Sequence, residues 1–198
     1  PYEVKRYARD KKTSLAPPEL QAIHPLGKSP VITDGKVTVA ETGAIVEYLV
    51  EQAGDALRPA AGTPEHHRYT YWLHFAEGSA MPPLVMALVF SKIKKAPMPF
   101  FAKPIARAIA DKVLDGFVKP DLKRQLAFME SELAPRPWFA GRAFTAADVM
   151  MSFPIEAAAS RGALRGHFPN LNGFLERIHE RPAYLRALER GGPYSLLS

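Results

Sequence analysis

Between His24 and Ile45 the chain reads HPLGKSPVITDGKVTVAETGAI, and this stretch constrains the fold more than any other. Val31-Ile32-Thr33 and Val37-Thr38-Val39 are β-forming runs, and the Asp34-Gly35 pair between them predicts a hairpin. Ser29-Pro30 stands immediately ahead of the first run, where a proline's missing donor is not needed by a ladder. An X-Pro bond is also the one peptide type that adopts cis at modest cost. After Ala40, the spacing of Ile45, Tyr48 and Leu49 predicts an amphipathic helix opening at Glu41-Thr42. Its N-terminus offers unpaired N–H groups and the positive end of a dipole, both attractive to a carboxylate. Thr42 adds a hydroxyl donor, Glu41 an acceptor for an ammonium group, and Lys28 a flexible cation. These residues together make a receptor for the charged ends of a small peptide. Glu41 and Thr42 are equally ordinary first-turn residues, and Lys28 an ordinary solvated lysine.

Two motifs around one hairpin, Leu26-Gly27-Lys28-Ser29-Pro30 and Glu41-Thr42-Gly43-Ala44-Ile45, resemble the glutathione-binding half of the glutathione S-transferases. The resemblance implies an α/β, thioredoxin-like N-terminal domain over residues 1–57, followed by an all-helical C-terminal domain over 65–198. It implies that glutathione is bound by Lys28, Ser29, Pro30, Glu41 and Thr42. A cis Pro30 would turn the Ser29 main chain toward the cysteinyl part of the ligand. Thr42 stands where the family usually has serine, Ser29 where valine is frequent, and His24 where asparagine is frequent. In the family, Tyr2–Tyr7, which alternates like a strand, corresponds to the second strand of the domain. The first strand, the first helix and the thiol-activating serine, tyrosine or cysteine are therefore expected upstream of Pro1. The implied activity is transfer of the glutathione thiolate to a hydrophobic electrophile, with peroxide reduction as a further possibility. The alternative is a non-catalytic interaction module of the same fold. A cytoplasmic homodimer is implied too, with the hairpin and Glu41 helix of one copy against the Tyr69–Trp72 region of the other.

Punctuation divides the rest of the chain. Arg58 to Pro64 reads as a linker, and a short helical turn is expected at Pro18–Ala22 within the polar stretch Lys11–Ile23. Glu65–Phe90 reads as a long helix bent at Pro82-Pro83, and Ile105–Leu133 as a second, kinked or divided at Pro120. Thr145 and Asp148 form a capping box opening a third helix, with Phe144 and Val149 as its hydrophobic staple. A box at this place also resembles the one opening the family's core helix. Pro169 and Pro182 start two short final helices. Tyr69, Trp72 and Phe75 fall on one side of the first long helix, a pattern of core residues. The family's equivalent helix lines the hydrophobic substrate site, which makes Trp72 and Phe75 candidates for that site.

Composition excludes several chemistries. With no cysteine among the 198 residues, the sequence has no disulfide, no cysteine-ligated metal and no cysteine nucleophile. His66 and His67 are adjacent and diverge by about 100° on a helix, so they cannot share one metal, and no metal cofactor is expected. The most apolar run, Leu84–Phe90, is too short to span a bilayer, and no transmembrane segment is expected. The net charge of +6 is concentrated: from Gly78 to Ala110 there is no acidic residue. Lys92, Lys94, Lys95, Lys103 and Arg107 there alternate with Met98, Phe100, Phe101 and Ile105. Such a patch suits nucleic acid, an anionic membrane surface or an anionic hydrophobic substrate, and equally a solvated connection. The family reading calls for no nucleic-acid partner.

Overall fold

The computed structural model describes residues 2–10, 13 and 15–192. Pro1, then Lys11, Lys12 and Ser14 of the expected polar stretch, and residues 193–198 of the expected second domain lie outside that set. A single turn of helix, α1 (Pro18–Ile23), precedes the hairpin of β1 (Val31–Asp34) and β2 (Val37–Ala40). The strands pair antiparallel with Val31 opposite Ala40 and Asp34 opposite Val37. The loop is therefore Gly35-Lys36, one residue later than Asp34-Gly35, and Gly35 takes a left-handed φ of 57° that glycine adopts without a Cβ clash. Asp34 closes the ladder and accepts a hydrogen bond from the Tyr48 hydroxyl at 2.8 Å, tying β1 to α2 (Thr42–Gln52). That bond raises the Tyr48 pKa above its usual value.

Residues 2–10 form no strand. A strand needs a ladder partner, and among the described residues β1 and β2 pair only with each other. The segment runs instead beside the end of the last helix, α9 (Pro182–Gly191). Arg6 donates to the Gly191 carbonyl, and the Arg190 guanidinium lies 4.8 Å from the Tyr2 ring centre.

The remainder is helical. Helix α3 (Pro64–Phe75) is capped by Thr63, whose Oγ1 accepts the His66 N–H at 3.2 Å, with proline in the first turn. It passes through a π-helical turn, Ala76–Ala80, into α4 (Met81–Lys95). The second long helix repeats the device: α5 (Lys103–Val113), a π-helical turn Leu114–Val118, then α6 (Lys119–Leu133). In each case a glycine, Gly78 or Gly116, sits four residues ahead of a proline, Pro82 or Pro120. The wider turn lets each proline stand in a helix that continues, so Pro120 does not divide the second one.

The 32-residue helix Pro64–Lys95 is longer than the Leu84–Phe90 run implied, and by length and composition alone it could cross a membrane. Its inward residues, Tyr69, Trp72, Leu73, Ala76, Ala80 and Leu84, are buried in the protein core. Of its most apolar 18-residue window, 28% is buried.

At the centre lies α7 (Ala146–Ser160), whose alanines admit its neighbours closely and whose Met150, Met151 and Ile155 fill the core against α3 and α8 (Pro169–His179). Val50 of α2 belongs to the same buried cluster, so the hairpin half is packed onto the helical half. The capping box is formed as expected. Asp148 is wholly buried and accepts the Thr145 N–H and the Phe139 N–H, each at 2.8 Å. The expected staple is not the principal packing there: Phe144 meets Trp138 with ring centres 5.0 Å apart and carries Arg181 at 3.5 Å. Val149 is 44% exposed.

Burial pushes the Asp148 carboxyl up to about 6 from 3.8, against the opposing pull of the hydrogen bonds from Phe139 and Thr145. A raised acid pKa means that the folded state holds a proton the unfolded chain releases. Its stabilisation is therefore full below 3.8 and falls as pH rises through about 6. Asp148→Asn removes this titration, so the stability advantage of wild type over the variant should be larger near pH 4 than near pH 8. Denaturant unfolding of both proteins at the two pH values checks this; an advantage that grows with pH would contradict it.

Candidate functional site

The turn side of the site starts from α1, which ends at His24. The Gly27 N–H donates to the His24 carbonyl at 2.8 Å, and Gly27 has φ 55°. A Cβ at Gly27 would lie 2.9 Å from both Ala16 Cβ and Gln21 Cγ, so the tight turn requires glycine. It delivers Lys28, Ser29 and Pro30 to the start of β1, and the Ser29-Pro30 bond is cis, as the motif implied.

The helix side is built by Glu41 and Thr42. Glu41 has φ 72° and ψ 127°, a backbone conformation that a residue with a side chain rarely adopts. No side chain caps α2, and its first internal bond runs from the Ile45 N–H to the Glu41 carbonyl at 2.9 Å. The N–H groups of Thr42, Gly43 and Ala44 thus precede the ladder, a cluster of donors at the positive end of an 11-residue helix.

Both sides face one pocket. Lys28, Ser29, Pro30, Glu41 and Thr42 all line it, together with Ala40, Leu26 and His24. The sequence motifs placed five of these residues as a set; the structure adds His24, which the sequence marked only as a departure from a family pattern. His24 Nδ1 is buried with no hydrogen-bond partner among the described residues. Its signal in the sequence was its position four residues before Lys28, at the exit of α1. The pocket combines a cation, a carboxylate, a hydroxyl and a helix N-terminus, and can hold a zwitterion that also carries a second carboxylate.

Trp72 and Phe75 do not join this pocket. Trp72 is 1% exposed, and its ring centre lies 4.5 Å from Phe139, 5.0 Å from Phe75 and 5.4 Å from Phe128. Phe75 packs against the same core. The stripe of Tyr69, Trp72 and Phe75 is the seam between α3 and the rest of the bundle, in keeping with the core pattern of its spacing; the family resemblance alone made Trp72 and Phe75 site candidates.

The model of the glutathione S-transferase N-terminal domain matches residues 1–51, and that of the C-terminal domain matches residues 81–182. Glutathione S-transferase 3 of Schizosaccharomyces pombe is 33% identical over 191 residues, covering 96% of this chain and 78% of the yeast protein. A crystal structure of a glutathione S-transferase from Actinobacillus pleuropneumoniae superposes with a TM-score of 0.75 at 30% identity, over 100% of this chain and 85% of that one. A sphingomonad glutathione S-transferase, solved in complex with glutathione, gives a TM-score of 0.68 at 26% identity, over 93% and 86% of the two chains.

The left-handed φ at Glu41 should cost on the order of 1–3 kcal/mol of folding stability. Glycine relieves it and alanine does not, so Glu41→Gly should be more stable than Glu41→Ala by about 1 kcal/mol. Urea denaturation of the two variants tests this directly. An alanine variant equal to or above the glycine variant would show that the conformation carries no strain.

Proposed function

The chain belongs to the glutathione S-transferase family, and we propose that it binds glutathione in the pocket between the Ser29-Pro30 turn and the start of α2. The observation that carries this reading is the convergence on one pocket of five residues drawn from two separated motifs. The γ-glutamyl carboxylate sits at the α2 N-terminus with the Thr42 hydroxyl, and its ammonium meets Glu41. Lys28 pairs with the glycyl carboxylate, and the Ser29 main chain holds the cysteinyl unit.

The ligand's thiol has a reference pKa of about 8.5 and reacts as the thiolate; Lys28, Glu41 and Thr42 hold the ligand's charged ends and leave the ionisation of the thiol to another donor. In conjugation the sulfur lone pair forms a C–S bond to an electrophilic carbon, and the leaving group departs with its electron pair. With a peroxide, the thiolate attacks one oxygen and the O–O bond breaks to release an alcohol. A second glutathione then yields the disulfide and water. Retention of both binding motifs favours a transferase over an interaction module of the same fold.

The copies would pair about a two-fold axis. Tyr69 and Trp72 are buried, so the exposed residues of α3 that would meet a partner's hairpin are Thr70, Tyr71 and His74.

Glu41→Ala and Thr42→Ala should each weaken glutathione binding about ten-fold or more while leaving the protein folded. Lys28→Ala should lose less, with a loss that shrinks as salt is added. Titration calorimetry reads all three, and unchanged affinity throughout would remove the pocket from consideration. A panel of chlorodinitrobenzene, an isothiocyanate and a hydroperoxide then separates conjugation from peroxide reduction; a protein that binds glutathione and turns over none of them would be an interaction module. Light scattering at micromolar concentration should return twice the chain mass, and a monomer mass would refute the two-fold pairing.

A further inference from the structure

The region joining α4 to α5 exposes large apolar side chains that the glutathione pocket does not use. Phe100 is 83% exposed and Phe101 66%, with their ring centres 5.7 Å apart in an edge-to-face contact. Ile105 and Ile109 follow Phe101 at intervals of four, the spacing of one helix face, and are 63% and 58% exposed. Ala106, Ala110 and Val113 adjoin these isoleucines on the same side of α5 and are half-buried or buried where α5 meets α4, so Ile105 and Ile109 are the exposed edge of one apolar face. Lys92 and Lys95 are exposed at the end of α4, and Lys103 and Arg107 on the polar side of α5, across the helix from Ile105 and Ile109. Lys94 is set apart from them by its ion pair with Asp111. No acidic residue occurs from Gly78 to Ala110 to neutralise the cluster.

We propose that this tip, the end of α4 with segment 96–102 and the exposed face of α5, docks on an anionic lipid surface. Charge decides between the possible occupants. A second copy seated by two-fold symmetry would bring the same four cations against their own images, with no carboxylate in the segment to pair them. Lysine is also depleted from the centres of protein interfaces. Nucleic acid would use the cations and stack on the phenylalanines, but has no use for aliphatic Ile105 and Ile109. An anionic bilayer uses all of them: aromatic and aliphatic side chains enter the headgroup and acyl boundary, while lysine stems reach back to lipid phosphates. The docking is peripheral and needs no spanning segment.

The test is co-sedimentation of the full chain with phosphatidylcholine vesicles, with and without about 30% phosphatidylserine, at low and high salt. Binding should require the anionic lipid and fall as salt rises. The double variant Phe100→Ser/Phe101→Ser should lose binding at every salt concentration. The triple variant Lys95→Glu/Lys103→Glu/Arg107→Glu should lose at least about five-fold per removed cation. Circular dichroism verifies that both variants are folded. No sedimentation with anionic vesicles, or equal sedimentation with neutral ones, overturns the proposal. So does either of two other outcomes: a Phe100→Ser/Phe101→Ser protein that changes from dimer to monomer, or one that loses affinity for single-stranded DNA while wild type ignores vesicles.

Discussion

The first turn of α7 is where the two halves of the molecule are fastened together. A helix N-terminus leaves donors without internal partners, and here they are assigned to different parts of the chain. The Ala146 N–H donates to the Leu57 carbonyl at 3.0 Å, on the segment that leaves α2. Asp148 turns back to accept the Thr145 N–H and reaches sideways to the Phe139 N–H. The same Phe139 peptide is held at its other end, since its carbonyl accepts Arg68 Nε at 3.1 Å and Nη2 at 2.9 Å from α3. One carboxylate, one backbone amide and one guanidinium thus hold the loop before α7 between α3 and α7. The placement of the candidate pocket relative to the bundle follows from the Leu57 bond and from Val50 in the shared core.

Much of this was legible because the signals are local. The capping box needs only Thr145 and Asp148 three residues apart, the hairpin only a glycine-containing turn between β-formers, and the terminal helices only a proline in their first turns. The pocket was legible for a related reason. Its two walls are a turn and a helix start separated by one hairpin, so short-range spacing sets their distance.

What escaped depends on distant partners or on backbone conformation. The N-terminus of α8 is capped from α6: the Glu130 carboxylate accepts the N–H groups of Asn170 and Leu171 at 2.8 and 2.9 Å, across forty residues of sequence. Glu156, buried in α7, accepts the Tyr184 hydroxyl at 2.8 Å and contacts His179 Nε2 at 2.8 Å, joining α7 to both final helices. Burial, and then Glu156, push the Tyr184 pKa well upward. No spacing rule announces either arrangement. The inward rotation of Trp72 was equally unreadable as a choice between core and pocket wall, since both demand an aromatic on the same helix face. The φ of Glu41 leaves no mark in the residue type, because glutamate is a poor choice for that conformation.

The two π-helical turns carry a consequence for how the length of this chain can change. Each is one residue longer than an α turn, so removing that residue would leave the helix on either side in phase, whereas a deletion elsewhere rotates everything beyond it by about 100°. The proline opposes such a tightening: in a regular helix its ring would press on the carbonyl of the residue four before it, Gly78 for Pro82 and Gly116 for Pro120, at a cost of about 3 kcal/mol, a cost that α7 bears at Pro154. Residue number and proline content are therefore coupled in these helices. A shorter version of either comes at less cost to a chain that has already given up the proline, and a chain that keeps the proline gains by keeping the extra residue.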